Sequence, residues 1–435
     1  MKVMAPVLRP SDFRRIALRC TGGKVKAIFW HLGVRAALED RGFSFTTGFG
    51  DPVEPAPGEI SIFIGSSAGS VFASLVAAGF DVPAVVSSFI GRASRLPSIT
   101  NATIFRKRGA ALRGYFRRVR NAVNLRAGAE QFPGSGIGPE ASNDDPVIDA
   151  NYDLTMKKFL RHFHLSDLLV LRSRYVLSGM EEWFRKLLGS NDSFEAMRAS
   201  VFILASDLDQ PQTVVFGRDS RECVWYRYVS GVKPSRAASA SMAIPSVFNP
   251  VSIKIEGRKH YFIDGDVYNP TETMIESDHG CDLAIISSFE APYRFHPAIG
   301  SLHHLGLPYE ISQAITLTIY NRFMQSRNTA RSKFAGLMAA RDALAPHVDE
   351  ETLEREMRRI ANALEMSIDM KIVHLHPFKN PLLFFESPFD LSSRTLGKMI
   401  VEASLQASEL LDQAGFTADQ PGQRTRAAIL PRATP

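Results

Sequence analysis

Ser67 stands in the pentapeptide Gly65-Ser66-Ser67-Ala68-Gly69, directly between a strand-like run, Glu59 to Ile64, and a helix-like run that begins at Ser70. A serine hydroxyl is a weak nucleophile. A hydrolase therefore holds it in a strained strand-to-helix turn, open to substrate and beside a base. Gly65 and Gly69 supply the steric room for such a turn. The helix after it aims backbone N–H groups and its positive dipole end at the place where an oxyanion would form. Small residues between a buried strand and a helix also make plain tight turns, so the pentapeptide alone leaves catalysis and simple structure equally open.

Two further segments bear on that choice. In Tyr261-Phe262-Ile263-Asp264-Gly265-Asp266 an aromatic and β-branched run delivers Asp264 to a strand end, and Gly265 permits a sharp turn after it. An acid there has the position of a catalytic base. Just upstream, Ala240 to Pro250 is a run of small residues with a proline-bounded exit into a strand, and small side chains let a helix approach its neighbour closely.

With these three blocks in order, the chain resembles the patatin-like phospholipases, lipid acyl hydrolases that use a Ser–Asp dyad in place of a Ser-His-Asp triad. Gly65 to Gly69 is similar to the family's nucleophile motif, Asp264-Gly265 to its Asp-Gly motif, and Ala240 to Pro250 to the Ala-Ser-x-Ala-x-Pro segment before it. The 197 positions between Ser67 and Asp264 agree with that pattern. Weaker similarity at Phe202 to Leu208 and Thr213 to Phe216 extends the resemblance over about Phe13 to Ser288. It implies an α/β fold: a three-layer sandwich with a central mixed, mostly parallel sheet, a helical cap insertion and a helical C-terminal extension. It also implies Ser67 as nucleophile and Asp264 as base, acting on a phospholipid or other fatty-acyl ester through an acyl-serine, with neither cofactor nor metal. Passing the acyl group to another alcohol would use the same dyad, and a catalytically weak lipid-binding member would keep the fold.

The chain departs from the pattern in two places. The family's Gly-Gly-Gly-x-Arg/Lys-Gly loop is matched by Gly22-Gly23-Lys24-Val25-Lys26-Ala27, with two of its glycines. Oxyanion binding needs backbone N–H groups and not glycine side chains as such, so Gly22, Gly23, Lys24 and Ala68 are the expected donors. This departure bears on activity and not on fold. The second is Asp266, which replaces the usual glycine or alanine. Buried together, two carboxyls resist double ionisation and share protons.

The elements that must position these residues alternate. Strands are expected at Phe13 to Cys20, Glu59 to Ile64 and Cys281 to Ser287, and helices at Val25 to Arg41 and Ser67 to Ala78, which predicts a sheet covered by helices on both faces. A patatin-like core over 13–290 carries a mostly helical cap insertion over about 97–200, including a polar loop at 131–151. A mainly helical extension follows over 291–413, with helices at Pro308 to Leu344, Glu350 to Ile368 and Ser392 to Gln413 and a strand at Lys371 to Leu375. Residues 414–435, rich in Pro, Gly, Gln and Arg, read as a disordered tail.

Composition narrows the setting. At 435 residues, 45% of them hydrophobic, the chain can bury one large core or two. No apolar run approaches the about eighteen residues that a span requires, and the start lacks a signal-like apolar stretch, so a cytoplasmic protein is expected, peripheral to a membrane at most. Cys20, Cys223 and Cys281 are odd in number and widely spaced, consistent with a reducing compartment. The net charge of +6 is concentrated. From Val82 to Ala129 there is no acid, while the basic stretch 92–126 holds Arg92, Arg95, Arg106, Lys107, Arg108, Arg113, Arg117, Arg118, Arg120 and Arg126. Leu112, Tyr115, Phe116, Val119 and Val123 form an apolar helical stripe among them. Such a helix either lies on an anionic membrane surface or packs on the protein with its arginines solvated. Nucleic acid is not expected as a partner, because no recognised binding motif accompanies the charge. The histidines admit a rival mechanism. His279, His296, His374 or His376 could complete a triad by chain order, and His374-x-His376 or His303-His304 could begin a metal site, but no third ligand sits at a telling spacing. His31, in the first helix, reads as a packing residue.

Overall fold

Runs such as Ile16-Ala17-Leu18 and Leu283-Ala284-Ile285-Ile286 are continuously apolar and do not alternate, the pattern of strands buried on both faces of a parallel sheet. A computed structural model of the chain describes residues 7–89, 96–107, 175–210, 212–223, 226–245, 247–268, 273–289, 292–364, 369–378 and 393–417. Within them an 11-stranded sheet forms. Lys371–Leu375, Leu283–Ser287, Ile16–Cys20, Glu59–Ser66 and Ser200–Asp207 lie side by side and parallel. Thr213–Phe216 then pairs antiparallel with Ser200–Asp207, and Tyr226–Val229 runs parallel to it. A hairpin of Val251–Ile255 and Arg258–Ile263 joins the end of Ser200–Asp207, with Phe262 opposite Asp207 and Ile263 opposite Ser206. The sheet is thus mixed and mostly parallel, and flanking helices make it the middle layer of three.

Two helices emerge from the carboxyl ends of adjacent parallel strands, Lys24–Glu39 after Ile16–Cys20 and Ala68–Ala77 after Glu59–Ser66. Every residue of Ala68–Ala77 is buried. Its composition, Ala-Gly-Ser-Val-Phe-Ala-Ser-Leu-Val-Ala, is small enough to lie within the protein on all sides, and Ser70 and Ser74 satisfy their hydroxyls on the carbonyls of Ser67 and Ser70. The closing helix Ser393–Gln413 buries Ile400, Ala403, Ala407 and Leu411, and Arg41, at the end of the first helix, bonds to Ser408 and Asp412. The helices Leu307–Leu344 and Glu350–Ala363 build a separate small core from Leu337, Leu353, Met357 and Ala361.

The chain divides into two compact units, one of 1–106 with 177–435 and one of 107–176. The second is shorter at both ends than the insertion expected over 97–200. The helix Ser178–Leu188 belongs to the first unit and buries Met180, Trp183, Phe184 and Leu188. The arginines from Arg108 to Arg126, Arg92 and Arg95, the apolar stripe Leu112 to Val123, the loop 131–151 and residues 418–435 lie outside the described residues. Arg106 and Lys107 are exposed.

Two expectations are corrected. The first strand starts at Ile16 and not at Phe13, whose ring packs 5.8 Å from that of Phe416. Residues 414–417, assigned to the tail on composition, are fixed in place. Phe416 is 1% exposed between Phe13 and Phe43, and its carbonyl accepts the Arg41 Nε–H at 3.0 Å. One aromatic with a cavity to fill outweighs a polar surrounding sequence.

Candidate active site

Ser67 caps the helix Ala68–Ala77 with φ 49° and ψ −125°. It is one of only two non-glycine residues at positive φ among those described, the other being Glu256 in a hairpin turn. A side chain in this region costs about 1–3 kcal/mol and persists only where the surroundings over-determine it. Gly69 shows one source of that constraint, since a Cβ there would lie 2.1 Å from the Cys20 carbonyl oxygen. The elbow is pressed onto the end of the first strand, and only glycine permits it.

The hydroxyl of Ser67 donates to Asp264 Oδ2 at 2.6 Å across 197 positions of sequence. Asp264 Oδ1 accepts the Asp266 N–H at 3.0 Å. The backbone of Asp264 is also fixed, its N–H on the Ala243 carbonyl at 3.0 Å and its carbonyl accepting the Ser206 hydroxyl at 2.9 Å. Both Ser67 and Asp264 are 4% exposed. Among the described residues no histidine hydrogen-bonds Ser67. His279 engages Asp219, His31 engages Ser287 and the Thr21 carbonyl, and the Ala298 N–H donates to His296 Nδ1. His374 and His376 lie on and just after the strand Lys371–Leu375, both held below the usual imidazole range by burial. Among the described residues no group of three or more His, Cys, Asp or Glu is arranged to hold a metal.

Of the four expected oxyanion donors, Gly22 has its N–H on Asp266 Oδ2 at 2.8 Å. Gly23, at φ 133°, caps the helix that Lys24 begins, and Ala68 begins the second helix. Neither helix start has a side-chain cap, and the positive dipole end of the second helix lies at the elbow, where Ser67 is its N-cap.

Burial dominates the electrostatics. Asp264 is raised well above the usual carboxylate range, first by desolvation and then by the charge of Asp266, with the Ser67 hydroxyl opposing. Asp266 is raised by desolvation, against the hydrogen bonds from Ser66 and Gly22 and the charge of Arg19. Arg19 is itself buried, in a two-pronged bond to Glu276 at 2.7 and 2.6 Å.

Three features escaped the sequence reading. Ser241, valued there only for its size, accepts the Ser67 N–H at 2.8 Å and donates to the Leu204 carbonyl at 2.5 Å. Ser66 donates its hydroxyl to Asp266 Oδ1. The third is the Arg19–Glu276 pair, for which there was a signal, an arginine inside an otherwise apolar strand.

The match to the family model for patatin-like phospholipases covers residues 20–275, more than half of the chain. The chain belongs to the patatin-like phospholipase family, whose general activity is lipid acyl hydrolysis. No curated protein matches it. Among solved structures, a chain of the heterodimeric ExoU–SpcU complex from the type III secretion system of Pseudomonas aeruginosa is similar at 15% identity and a TM-score of 0.23, over 97% of this chain and 75% of that one.

Proposed function

We propose that this chain is a serine-dependent lipid acyl hydrolase of the phospholipase A type, with Ser67 as nucleophile and Asp264 as base. The observation that carries the reading is the 2.6 Å hydrogen bond between a strained, helix-capping serine hydroxyl and a buried carboxylate. In its ionised form Asp264 takes the Ser67 proton as Oγ attacks the ester carbonyl of a fatty-acyl chain. The charge that develops on the carbonyl oxygen is met by the amides of Gly23, Lys24 and Ala68 at the two helix starts. Collapse expels the alcohol, which recovers the proton from Asp264, and leaves an acyl-serine. Water, deprotonated by the same carboxylate, then releases the fatty acid.

Labelling with a fluorophosphonate tests the nucleophile, because only an activated serine reacts readily. Ser67→Ala should abolish both labelling and hydrolysis of a medium-chain ester. Asp264→Asn should cost about a hundredfold or more, while alanine at His279, His296, His374 or His376 should cost little. Full activity in Ser67→Ala refutes the reading, and a histidine variant as inactive as Asp264→Asn restores the triad. Adding a competing alcohol and resolving the products separates hydrolysis from acyl transfer.

The basic stretch 92–126 supports docking on an anionic membrane, since each such residue near the surface is worth about 1 kcal/mol. Replacing Arg113, Arg117 and Arg120 together by glutamine should weaken binding to anionic vesicles by about a hundredfold without changing turnover of a soluble ester. Unchanged vesicle binding assigns those arginines to a solvated face.

A further inference from the structure

Asp266 stands where the family pattern has glycine or alanine, and both of its oxygens are in use. Oδ2 accepts the Gly22 N–H at 2.8 Å, and Oδ1 accepts the hydroxyl of Ser66, the residue before the proposed nucleophile. The side chain is 8% exposed. One carboxylate therefore joins three segments that are far apart in sequence: the loop after Ile16–Cys20, the elbow after Glu59–Ser66 and the turn after Arg258–Ile263. Neither glycine nor alanine can form either bond.

The loop and the elbow meet closely at this point. A Cβ on Gly22 would lie 2.1 Å from Asp266 Oδ2, 2.6 Å from Ser67 Cβ and 3.1 Å from Ser67 Oγ. The Gly22 backbone thus rests directly on the reacting side chain, and whatever fixes Gly22 fixes one wall of the site. Its N–H, being given to a carboxylate, is not offered to a substrate oxygen.

We propose that Asp266 is a positioning residue of the serine site: its carboxylate clamps the two-glycine loop to the elbow and withdraws the Gly22 amide from the oxyanion hole. The hole is then formed by Gly23, Lys24 and Ala68, and the missing third glycine is offset by an anchor that the usual pattern lacks. The kinetic consequences rest on the Ser67–Asp264 reading. The structural one does not.

The Asp266 N–H donates to Asp264 Oδ1 at 3.0 Å, and with an acid at this position the carboxylate's charge also acts on the base. Among the described residues, the groups that act on this pair come from three elements. The first strand contributes Arg19, held by Glu276, and its charge favours ionised Asp266. The elbow contributes the neutral hydroxyls of Ser66 and Ser67. Gly22 and Gly23 have no side chain to contribute, and His31, bonded to the Thr21 carbonyl, is kept neutral by burial, which lowers it to about 4. With two donors and Arg19 on its side, Asp266 ionises first and then opposes the ionisation of Asp264.

Asp266→Asn and Asp266→Ala separate the clamp from the charge. Asparagine keeps an oxygen for the Gly22 N–H and can donate to the Ser66 hydroxyl, but it carries no charge. Asp266→Asn should retain the slow hydrogen exchange of peptides covering Thr21 to Lys24, retain kcat on a soluble fatty-acyl ester above its own titration, and move the acidic limb of the kcat/KM profile down by about one pH unit or more. Asp266→Ala should speed that exchange and lower kcat by about tenfold to a hundredfold, with KM nearly unchanged. If Asp266→Ala does not fold, Ser66→Ala, which removes one of the two bonds, should show the same changes to a smaller degree. Wild-type exchange at Gly22 in the alanine variants, or an acidic limb that does not move in Asp266→Asn, overturns the proposal. If Ser67→Ala proves active, the reading of the dyad fails, and exchange at Gly22 still decides whether Asp266 is the clamp.

Discussion

Ser241→Ala removes a single oxygen atom that serves two backbone groups, and its effect can be reasoned from the geometry. Ser241 is fully buried, accepts the Ser67 N–H at 2.8 Å and donates to the Leu204 carbonyl at 2.5 Å. Alanine fills nearly the same space, so packing is conserved and the loss is polar. A buried amide left without its acceptor costs about 1–3 kcal/mol, and the carbonyl that loses its donor moves the total toward the upper end. That loss is comparable to the strain at Ser67, where φ is 49° and the cost of holding a side chain is about 1–3 kcal/mol. Without Ser241 the turn has both the freedom and the incentive to relax. A displacement of Oγ from Asp264 by a fraction of an ångström to one ångström should lower kcat/KM by about tenfold to a hundredfold.

Stability by denaturant titration and ester hydrolysis by stopped time points are the two assays, and a second background makes them decisive. The bond runs to the backbone of Ser67, which Ser67→Ala retains. The stability cost of Ser241→Ala should therefore recur in full in the Ser67→Ala protein, which lacks the proposed nucleophile. If the cost disappears in that background, Ser241 acts through the Ser67 hydroxyl and the argument from the backbone is wrong. Stability within about 0.5 kcal/mol of wild type, the range of a neutral surface change, together with unaltered kcat/KM, refutes it altogether.

Ser67→Gly should abolish hydrolysis yet stabilise the fold by about 1 kcal/mol, because glycine adopts this backbone without strain; thermal and denaturant unfolding check it, and a destabilised variant shows that the strain is not there. Asp264 has its proton affinity raised in the folded state, so the folded protein holds more protons than the unfolded chain between the ordinary carboxylate value and the raised one, and stability falls as pH rises through that interval. Asp264→Asn should consequently gain stability over wild type with rising pH, and a constant or shrinking difference contradicts the assignment. Glu276→Ala leaves Arg19 buried without its carboxylate and should cost about 3–5 kcal/mol, whereas Arg19→Met with Glu276→Leu should recover most of that; equal losses in the single and double variants exclude the pair as the cause.

The elements around the site were legible because period and composition agreed with their final burial. The apolar runs ending at Cys20, Ile64 and Ser287 could only be inner strands, and the small residues after Ser67 could only start a buried helix. Ser67 and Asp264 were legible through their neighbours: glycines on both sides of one, a β-branched run and a glycine around the other. What escaped depended on contacts between segments distant in sequence. Nothing near Phe416 states that Phe13 and Phe43 leave room for it. Nothing near Ser241 states that its oxygen lies under the Ser67 amide.

Gly22 marks the boundary between these two kinds of knowledge. The family pattern identifies it as a loop glycine with an amide to spare, and steric considerations agree that only glycine fits, with a Cβ 2.1 Å from a carboxylate oxygen. Yet that same oxygen is what takes the amide away. The acid at position 266 thus takes the donor and adds to a crowding that Ser67, whose Cβ would lie 2.6 Å from a Cβ on Gly22, already imposes. A motif read one position at a time returns Gly22 as an oxyanion donor. Read together with Asp266, it returns a fixed wall beside Ser67, and in the proposed mechanism the oxyanion is left to the amides of Gly23, Lys24 and Ala68.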